Sequence, residues 1–154
     1  KINIVELVYQ TGAEFNDKFE EKELTVVTKL PQNAVFILAD GRQLYRVIEN
    51  LYNNVAKYAL KNTRVYVDIQ EQEEADEVVL SIKNVSEQSL AMENSQVADL
   101  TERFIRGETS RTTEGSGLGL AIAKNLTVLM GGQFEISVDG DLFKVNVRFP
   151  VFSA

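Results

Sequence analysis

The clearest structural signal in the chain is the stretch R-V-I-E-N-L-Y-N-N-V-A-K-Y-A-L, from Arg46 to Leu60. Read as a helix with about 3.6 residues per turn, it has two neighbouring stripes. Asn50, Asn54 and Lys57 form a polar stripe at spacings of four and three residues. The stripe beside it is apolar and is expected to pack on a sheet. Its members are Leu44, Val47, Leu51, Val55 and Tyr58.

The polar stripe has two interpretations. Asparagine is a poor helix former, so two of them at the border of a buried face suggest a function. An amide oxygen can ligate a hard metal cation, and an ammonium group can neutralise phosphate charge. Alternatively, this is an ordinary amphipathic helix on which the polar residues are incidental. The helix alone favours neither interpretation.

Composition excludes several classes of protein. The 154 residues are enough for a single domain, and 44% hydrophobic with 25% charged residues is ordinary for a globular protein. The absence of cysteine and histidine excludes disulfides, thiol catalysis and imidazole chemistry. A net charge of −7 argues against nucleic-acid binding, and neither a membrane span nor a signal peptide is visible. Because the chain starts at Lys1, we expect it to be a segment of a longer protein.

The N-terminal part of the chain predicts a helix followed by two short strands. Residues 2–18 have a helical pattern of apolar residues, although their β-branched start also allows a strand followed by a helix. Residues 24–30 and 34–38 are β-type runs separated by a proline. Asp40 followed by Gln43 is typical of a capping box and predicts the start of the long helix.

Two further strands are predicted after that helix. Residues 64–69 alternate between apolar and polar side chains, and the Glu-rich residues 71–77 predict a solvated turn. The next strand has apolar side chains at positions 78, 80 and 82, which form its inward face. By parity Asn84 points to the same side, where a ligand could contact it.

Periodicity is lost between residues 85 and 114, and an irregular segment of this length is typical of a functional lid. It leads to the run G-S-G-L-G-L at residues 115–120, which opens a helix. Glycines at alternate positions let the backbone approach a ligand closely, and the start of a helix offers N–H groups to an anion. The run is neither a Walker A motif nor a dinucleotide fingerprint, and a plain flexible turn would also explain it.

The C-terminal part predicts an antiparallel hairpin. The helix is expected to end at Gly131-Gly132. Residues 134–138 and 143–149 alternate strictly around Asp139-Gly140, a strong hairpin signal. The chain then has three helices and about six strands, in a mixed and mostly antiparallel sheet. With helices on one face, we predict a single α+β domain over residues 1–154, a two-layer α/β sandwich.

Several blocks of the chain resemble a known family. Residues 46–58 resemble the N box of sensor histidine kinases. L-T-E-R-F-I-R-G at residues 100–107 resembles their F box, and G-S-G-L-G-L-A-I-A-K at residues 115–124 resembles their G2 box. The match is in order and extends from about Thr25 to Phe149. The chain therefore resembles the catalytic, ATP-binding domain of a two-component sensor histidine kinase. The resemblance implies the Bergerat fold of the GHKL superfamily, with an ATP lid at about residues 85–116.

The resemblance assigns roles to the polar stripe of the long helix. It implies that Asn54 ligates the Mg²⁺ ion that bridges the ATP phosphates, and that Asn50 lies one turn earlier, near the terminal phosphates. Lys57 would contact the phosphate chain, and Tyr58 would border the adenine.

The resemblance also assigns residues of the lid. Phe104 would anchor the lid at the nucleotide, and Arg106 would reach the γ-phosphate. Arg103 and Arg111 are alternatives to Arg106, although a surface charge is favoured for Arg103. The residues that would offer backbone amides to the phosphates are Gly115, Gly117, Leu118 and Gly119.

Position 50 distinguishes phosphoryl transfer from hydrolysis within this superfamily. Hydrolytic members such as gyrase have a glutamate four residues before the metal-binding asparagine, where it activates water. Here that position is Asn50, and an amide cannot act as a base. Glu49 is adjacent but is turned about 100° away on the helix. We therefore expect phosphoryl transfer, which depends mainly on positioning and charge neutralisation.

The adenine block departs from the family pattern. It is usually Asp-x-Gly-x-Gly, whose carboxylate accepts a hydrogen bond from the adenine amino group, whereas residues 84–88 read N-V-S-E-Q. Asn84 can still accept from that amino group and donate to a ring nitrogen, so we expect adenine recognition to persist. A pocket with degraded nucleotide binding is the alternative.

The family phosphorylates a histidine on a separate helical hairpin, and this chain has no histidine. The resemblance therefore implies that the acceptor lies in a dimerisation and phosphoacceptor domain of the same parent protein, and that this chain alone cannot autophosphorylate. It also implies ATP and Mg²⁺ as ligands, a response regulator downstream, and a cytoplasmic domain without nucleic-acid or membrane contacts. Two alternatives stay open: a serine-directed kinase of the anti-sigma type, and a non-catalytic interaction domain.

Overall fold

The structure, a computed structural model, describes residues 1–87 and 119–152. The helices and strands in these ranges are, in chain order, β1 (Ile2–Asn3), α1 (Ile4–Glu14), α2 (Asn16–Glu21), β2 (Thr25–Lys29), β3 (Phe36–Ile37), α3 (Gly41–Tyr58), β4 (Arg64–Gln72), β5 (Glu77–Val85), α4 (Gly119–Leu129), β6 (Gln133–Asp139) and β7 (Leu142–Pro150). None of these helices is long and apolar enough to cross a membrane.

Five strands form one mixed sheet in the order β2-β4-β5-β7-β6. β2 and β4 are parallel, and the other neighbouring strands are antiparallel. β1 and β3 form a separate two-stranded sheet, in which Ile2 pairs with Ile37. The mixed and mostly antiparallel sheet predicted from the sequence is confirmed.

The core lies between one face of this sheet and the helices. β7 alternates strictly, so that every second side chain from Phe143 to Phe149 is buried. On α3, the buried side chains are Leu44, Val47, Ile48, Leu51, Tyr52 and Val55. The predicted apolar stripe is thus confirmed except at Tyr58, which is only partly buried at the end of the helix. The α+β, two-layer architecture is confirmed.

The ends of α3 and α4 follow the sequence signals. The Asp40 carboxylate accepts hydrogen bonds from the backbone N–H groups of Arg42, at 2.9 Å, and Gln43, at 3.1 Å. This N-cap satisfies two donors that the first turn of α3 leaves free. Gly131 follows α4 with a φ of 87°, in the left-handed region that glycine adopts most easily at a helix end.

The first 21 residues differ from the predicted single helix. A two-residue strand precedes α1, as in the alternative interpretation, and the helical segment is divided at Phe15 into α1 and α2. Asn3 caps α1 by accepting a hydrogen bond from Glu6 N at 3.4 Å. The division turns the rings of Phe15 and Phe19 onto Tyr52, with centroid distances of 5.5 and 5.9 Å. The described residues therefore contain four helices instead of three, and seven strands instead of six.

Two turns are shorter or shifted relative to the prediction. Glu71 and Gln72 belong to β4, where they pair with Val78 and Glu77, so the predicted solvated turn at residues 71–77 is reduced to 73–76. In the last hairpin Asp139 pairs with Leu142, which places the two-residue loop at residues 140–141, one position later than predicted. The positive φ of 64° at residue 140 suits its glycine.

Candidate functional site

The polar stripe of α3 lies beside its buried face. Asn50 and Asn54 are partly buried, and Lys57 is exposed. No hydrogen bond joins the Asn54 amide to another residue in the described part of the chain, so its oxygen can receive a ligand. Within residues 1–87 and 119–152, no group of three or more acidic side chains is placed to hold a metal ion.

The Asn50 side chain has a buried amide nitrogen without a hydrogen-bond partner among the described residues. A buried donor left unpaired costs about 1–3 kcal/mol, so this N–H group requires an acceptor. A β-carbon built on Gly119, the first residue of α4, would lie 3.6 Å from Asn50 Oδ1. The amide stripe of α3 is therefore next to the N-terminal end of α4, an arrangement that suits an anion between the two helices.

Glu49 is held on another side of α3. The Tyr45 hydroxyl donates to Glu14 Oε2 at 2.7 Å and lies 3.2 Å from Glu49 Oε2. The hydrogen bond to Glu14, at the end of α1, is the main cause that raises the pKa of Tyr45. The carboxylate next to Asn50 in the sequence thus faces Tyr45 and α1, whereas Asn50 faces α4.

Asn84 is the polar residue near the end of β5. It is 2% exposed, and its amide donates a hydrogen bond of 3.3 Å to the carbonyl oxygen of Val85. In register it lies between Val65 of β4 and Phe143 of β7, which are buried as well. The parity prediction is confirmed, because Asn84 lies on the sheet face that the helices cover.

Backbone hydrogen bonds hold the end of α3 against the end of β5. Leu60 N donates to the carbonyl oxygen of Val85 at 2.7 Å, and Glu87 N donates to that of Tyr58 at 2.8 Å. These bonds place Tyr58 and Asn84 at the same end of the two elements. The two residues assigned to the adenine by resemblance are therefore near each other.

Lys22 also contacts the junction between the ends of α3 and β5. Its ammonium group donates to the carbonyl oxygens of Lys57, at 2.9 Å, and Ala59, at 3.0 Å, and pairs with Glu87 at 2.7 Å. A cation at the C-terminal end of a helix is favourable and satisfies carbonyl groups that the last turn leaves free. Sequence reasoning missed Lys22, because no local pattern indicates that the one lysine of the charged run E-E-K-E at residues 20–23 contacts the end of another helix.

Replacing Lys22 with methionine should lower the free energy of unfolding by about 1–3 kcal/mol, because charged hydrogen bonds to helix-end carbonyls are lost. Lys22→Arg keeps the charge and should lose less. Glu87→Gln removes only a partner that is half exposed and should cost below about 1 kcal/mol. Urea unfolding of the three variants measures these differences. A Lys22→Met variant as stable as wild type would contradict the proposal that Lys22 stabilises the junction between the ends of α3 and β5.

The remaining predicted site residues lie outside the described residues. They are Arg103, Phe104, Arg106, Arg111, Gly115, Gly117 and Leu118. The structure thus brings together Asn50 with Gly119, and Tyr58 with Asn84, while Asn54 and Lys57 follow Asn50 along α3.

Residues 39–152 match the family described as histidine kinase-, DNA gyrase B- and HSP90-like ATPase. The chain belongs to this family. The matched range includes all of α3, the strands β4 and β5, of which β5 carries Asn84, and the C-terminal hairpin of β6 and β7. The predicted membership of the superfamily that joins histidine kinases and gyrase is thereby confirmed.

Relatives of this ATPase domain include sensor histidine kinases. The chain is 29% identical to the sensor histidine kinase WalK of Bacillus subtilis over 140 residues, which is 87% of this chain and 22% of WalK. It is also 29% identical to the sensor histidine kinase RppB of Synechocystis over 153 residues, 96% of this chain and 32% of RppB. The chain therefore spans a third or less of the length of these relatives.

Solved structures share the fold of this ATPase domain. The catalytic domain of histidine kinase ThkA matches with a TM-score of 0.78 at 17% identity, covering 97% of this chain and 93% of that domain. Full-length ShkA in complex with AMPPNP matches with a TM-score of 0.77 at 22% identity, covering 99% of this chain and 31% of ShkA. At these identities the likeness concerns the fold.

Proposed function

We propose that this domain binds Mg·ATP and transfers the γ-phosphate to a histidine on a separate dimerisation and phosphoacceptor domain of a longer sensor histidine kinase. The observation that carries this proposal is the Asn50 amide, whose nitrogen is buried without a partner among the described residues and whose oxygen lies beside Gly119 at the start of α4. The names of the relatives, which are sensor histidine kinases, support histidine as the acceptor.

Asn54 is the residue we propose as the Mg²⁺ ligand. Magnesium in nucleotide sites takes few protein ligands and completes its octahedral shell with phosphate oxygens and water. A partly buried amide without another partner among the described residues fits such a ligand. When bound, the ion would neutralise charge on the phosphates. Asn50 would donate its N–H to a phosphate oxygen, and Lys57 would add a positive charge.

Asn84 and Tyr58 are proposed to bind the adenine. The buried amide of Asn84 can accept a hydrogen bond from the exocyclic amino group and donate to a ring nitrogen. The partly buried Tyr58 can cover the base with its ring. Because backbone hydrogen bonds join the ends of α3 and β5 directly, the residues proposed for the base and those proposed for the phosphates would be held in a fixed arrangement.

Phosphoryl transfer is favoured over hydrolysis by the position of Glu49, the carboxylate next to Asn50 in the sequence. A hydrolytic site needs a base that can activate water beside the phosphates. The side chain that faces Gly119 is the Asn50 amide, while Glu49 is engaged by Tyr45 on the side of α1. The same geometry still allows the positioning and charge neutralisation on which phosphoryl transfer depends.

Radiolabelled ATP tests this proposal directly. The chain alone should bind the nucleotide in the presence of Mg²⁺ but take up no label. Label should appear on a histidine when the dimerisation and phosphoacceptor domain of the parent protein is added. Rapid labelling of the chain itself, or transfer to a serine of a partner protein, would contradict the histidine assignment. Absence of Mg²⁺-dependent binding would instead indicate a non-catalytic interaction domain.

In this proposal the parent protein signals through a response regulator, and the ATPase domain works in the cytoplasm. Arg106, with Phe104 as its neighbouring anchor, is proposed from the sequence to reach the γ-phosphate. Gly115, Gly117 and Leu118 are proposed to add backbone donors to the one at Gly119.

A further inference from the structure

The ammonium group of Lys22 has a partner for each of its N–H donors. An ammonium group has three such donors and no acceptor. They meet the carbonyl oxygens of Lys57 and Ala59, at 2.9 and 3.0 Å, and a carboxylate oxygen of Glu87, at 2.7 Å. The Lys22 side chain is 24% exposed, so this group is held more firmly than the lysine of an ordinary surface ion pair. With its donors used in this way, Lys22 is not placed to bind a phosphate itself.

The two carbonyl acceptors of Lys22 lie on either side of Tyr58, the last residue of α3. The carbonyl oxygen of Tyr58 in turn accepts a hydrogen bond from Glu87 N at 2.8 Å, and the Glu87 side chain is the third partner of Lys22. Lys22 therefore bonds to both chain neighbours of Tyr58 and to the residue that pairs with its backbone. These contacts fix the direction in which Tyr58 leaves the helix end.

The same contacts extend to Asn84. Ala59, whose carbonyl oxygen Lys22 binds, forms an isolated antiparallel bridge with Ser86. The neighbouring Val85 carbonyl oxygen accepts the 3.3 Å hydrogen bond from the Asn84 amide. Lys22 is thus joined to both chain segments that carry the residues proposed for the adenine.

The residues proposed for the phosphates lie farther along α3. Asn54 and Asn50 are four and eight positions before Tyr58, or roughly 6 and 12 Å along the helix axis. None of the three hydrogen bonds of the Lys22 ammonium group goes to either of them. Their positions depend on the helix and on its packing against the sheet.

We propose that Lys22 is a positioning residue for adenine recognition. It holds Tyr58 and Asn84 at a fixed spacing, and so raises affinity for the base of the nucleotide without raising affinity for the phosphate chain. This inference rests on the proposed function, because it assigns Lys22 a role in the same nucleotide site.

Calorimetric titration of wild type and Lys22→Met with two ligands tests the proposal, each in the presence of Mg²⁺. One ligand is a non-hydrolysable ATP analogue, and the other is tripolyphosphate, which has a similar phosphate chain and no base. Lys22→Met should weaken binding of the ATP analogue by roughly five- to twentyfold, because the groups that contact the base are no longer held in place. Its affinity for tripolyphosphate should stay within about twofold of wild type, because Asn50 and Asn54 keep their positions.

Lys61→Met is the matched control for the loss of a positive charge near the same junction. Lys61 is 65% exposed and contacts Glu23 at 3.9 Å, so its replacement should change neither affinity by more than about twofold. Lys22→Arg can still donate to the carbonyl oxygens and should lose less affinity for the ATP analogue than Lys22→Met. Circular dichroism checks that each variant is folded at the temperature of titration. Lys22→Gln, which keeps one donor group, replaces Lys22→Met if the latter is unfolded.

The proposal would be overturned if the folded Lys22 variant bound the ATP analogue as tightly as wild type. It would also be overturned if both ligands lost affinity equally, since that result indicates a general effect of charge or stability. Wild type that bound neither ligand would contradict the proposed function itself, and the inference about Lys22 would fail with it. The two failures are therefore distinguished by the titration of wild type.

Discussion

Replacing Asn54 with alanine should weaken Mg²⁺-dependent binding of a non-hydrolysable ATP analogue by roughly hundredfold. The amide is the proposed protein ligand of the metal, and a metal that bridges phosphates is worth several kcal/mol to a nucleotide site. The fold should be retained, because Asn54 is only partly buried and has no hydrogen bond to another described residue. Calorimetric titration with and without Mg²⁺ measures the loss, and urea unfolding checks the stability.

Asn53 provides a matched control for this experiment. It is the adjacent residue on α3, where its side-chain oxygen accepts a hydrogen bond from Lys18 at 3.3 Å on the side of α2. Asn53→Ala should therefore leave nucleotide affinity within about twofold of wild type, since only an exposed hydrogen bond is lost. The metal assignment would be wrong if Asn54→Ala bound the analogue as tightly as wild type, or if both variants lost affinity equally.

Local patterns in the sequence were sufficient for the features that depend on one element. The spacing along α3 correctly placed Asn50 beside the buried stripe, and the strand alternation correctly turned Asn84 toward the helices. Both follow from the fixed periods of helix and strand, which need no knowledge of the neighbours. The Asp40 cap and the glycine after α4 are equally local signals.

Features that depend on distant segments could not be predicted in this way. Lys22 reaches the carbonyl of Lys57 across 35 positions, and no local pattern identifies one lysine in a charged run as a helix cap. The division between α1 and α2 depends on the packing of Phe15 against Tyr52, a contact between different helices. In the hairpin, the residues on either side of Gly140 are both aspartates, so turn chemistry alone fits two registers.

The adenine side of the site depends on a local pattern, the alternation of β5, and on a distant contact, between β5 and the end of α3. It supports a second prediction with a large effect on nucleotide affinity. Replacing Asn84 with leucine should weaken binding of the ATP analogue by roughly 10–100-fold, because the branching of the side chain is kept while the hydrogen bonds to the base are lost. The variant should fold, since the carbonyl oxygen of Val85 keeps its 2.7 Å hydrogen bond from Leu60 N. Asn146→Leu makes the same change on the opposite face of the sheet and should leave the affinity unaltered.

The variant Asn84→Asp tests how an amide at residue 84 differs in base recognition from the carboxylate that is usual in the family. An amide can accept from the amino group of adenine or, after rotation, donate to the oxo group of hypoxanthine, whereas an ionised carboxylate only accepts. Because this rotation breaks the 3.3 Å hydrogen bond from the Asn84 amide to the Val85 carbonyl oxygen, wild type should bind ITP more weakly than ATP, and the preference for ATP should be about tenfold or more larger in Asn84→Asp. Competition titration of the two nucleotides against a fluorescent ATP analogue measures this ratio. An unchanged ratio in Asn84→Asp would show that residue 84 does not contact the base, and the adenine would then have to be recognised by another part of the chain.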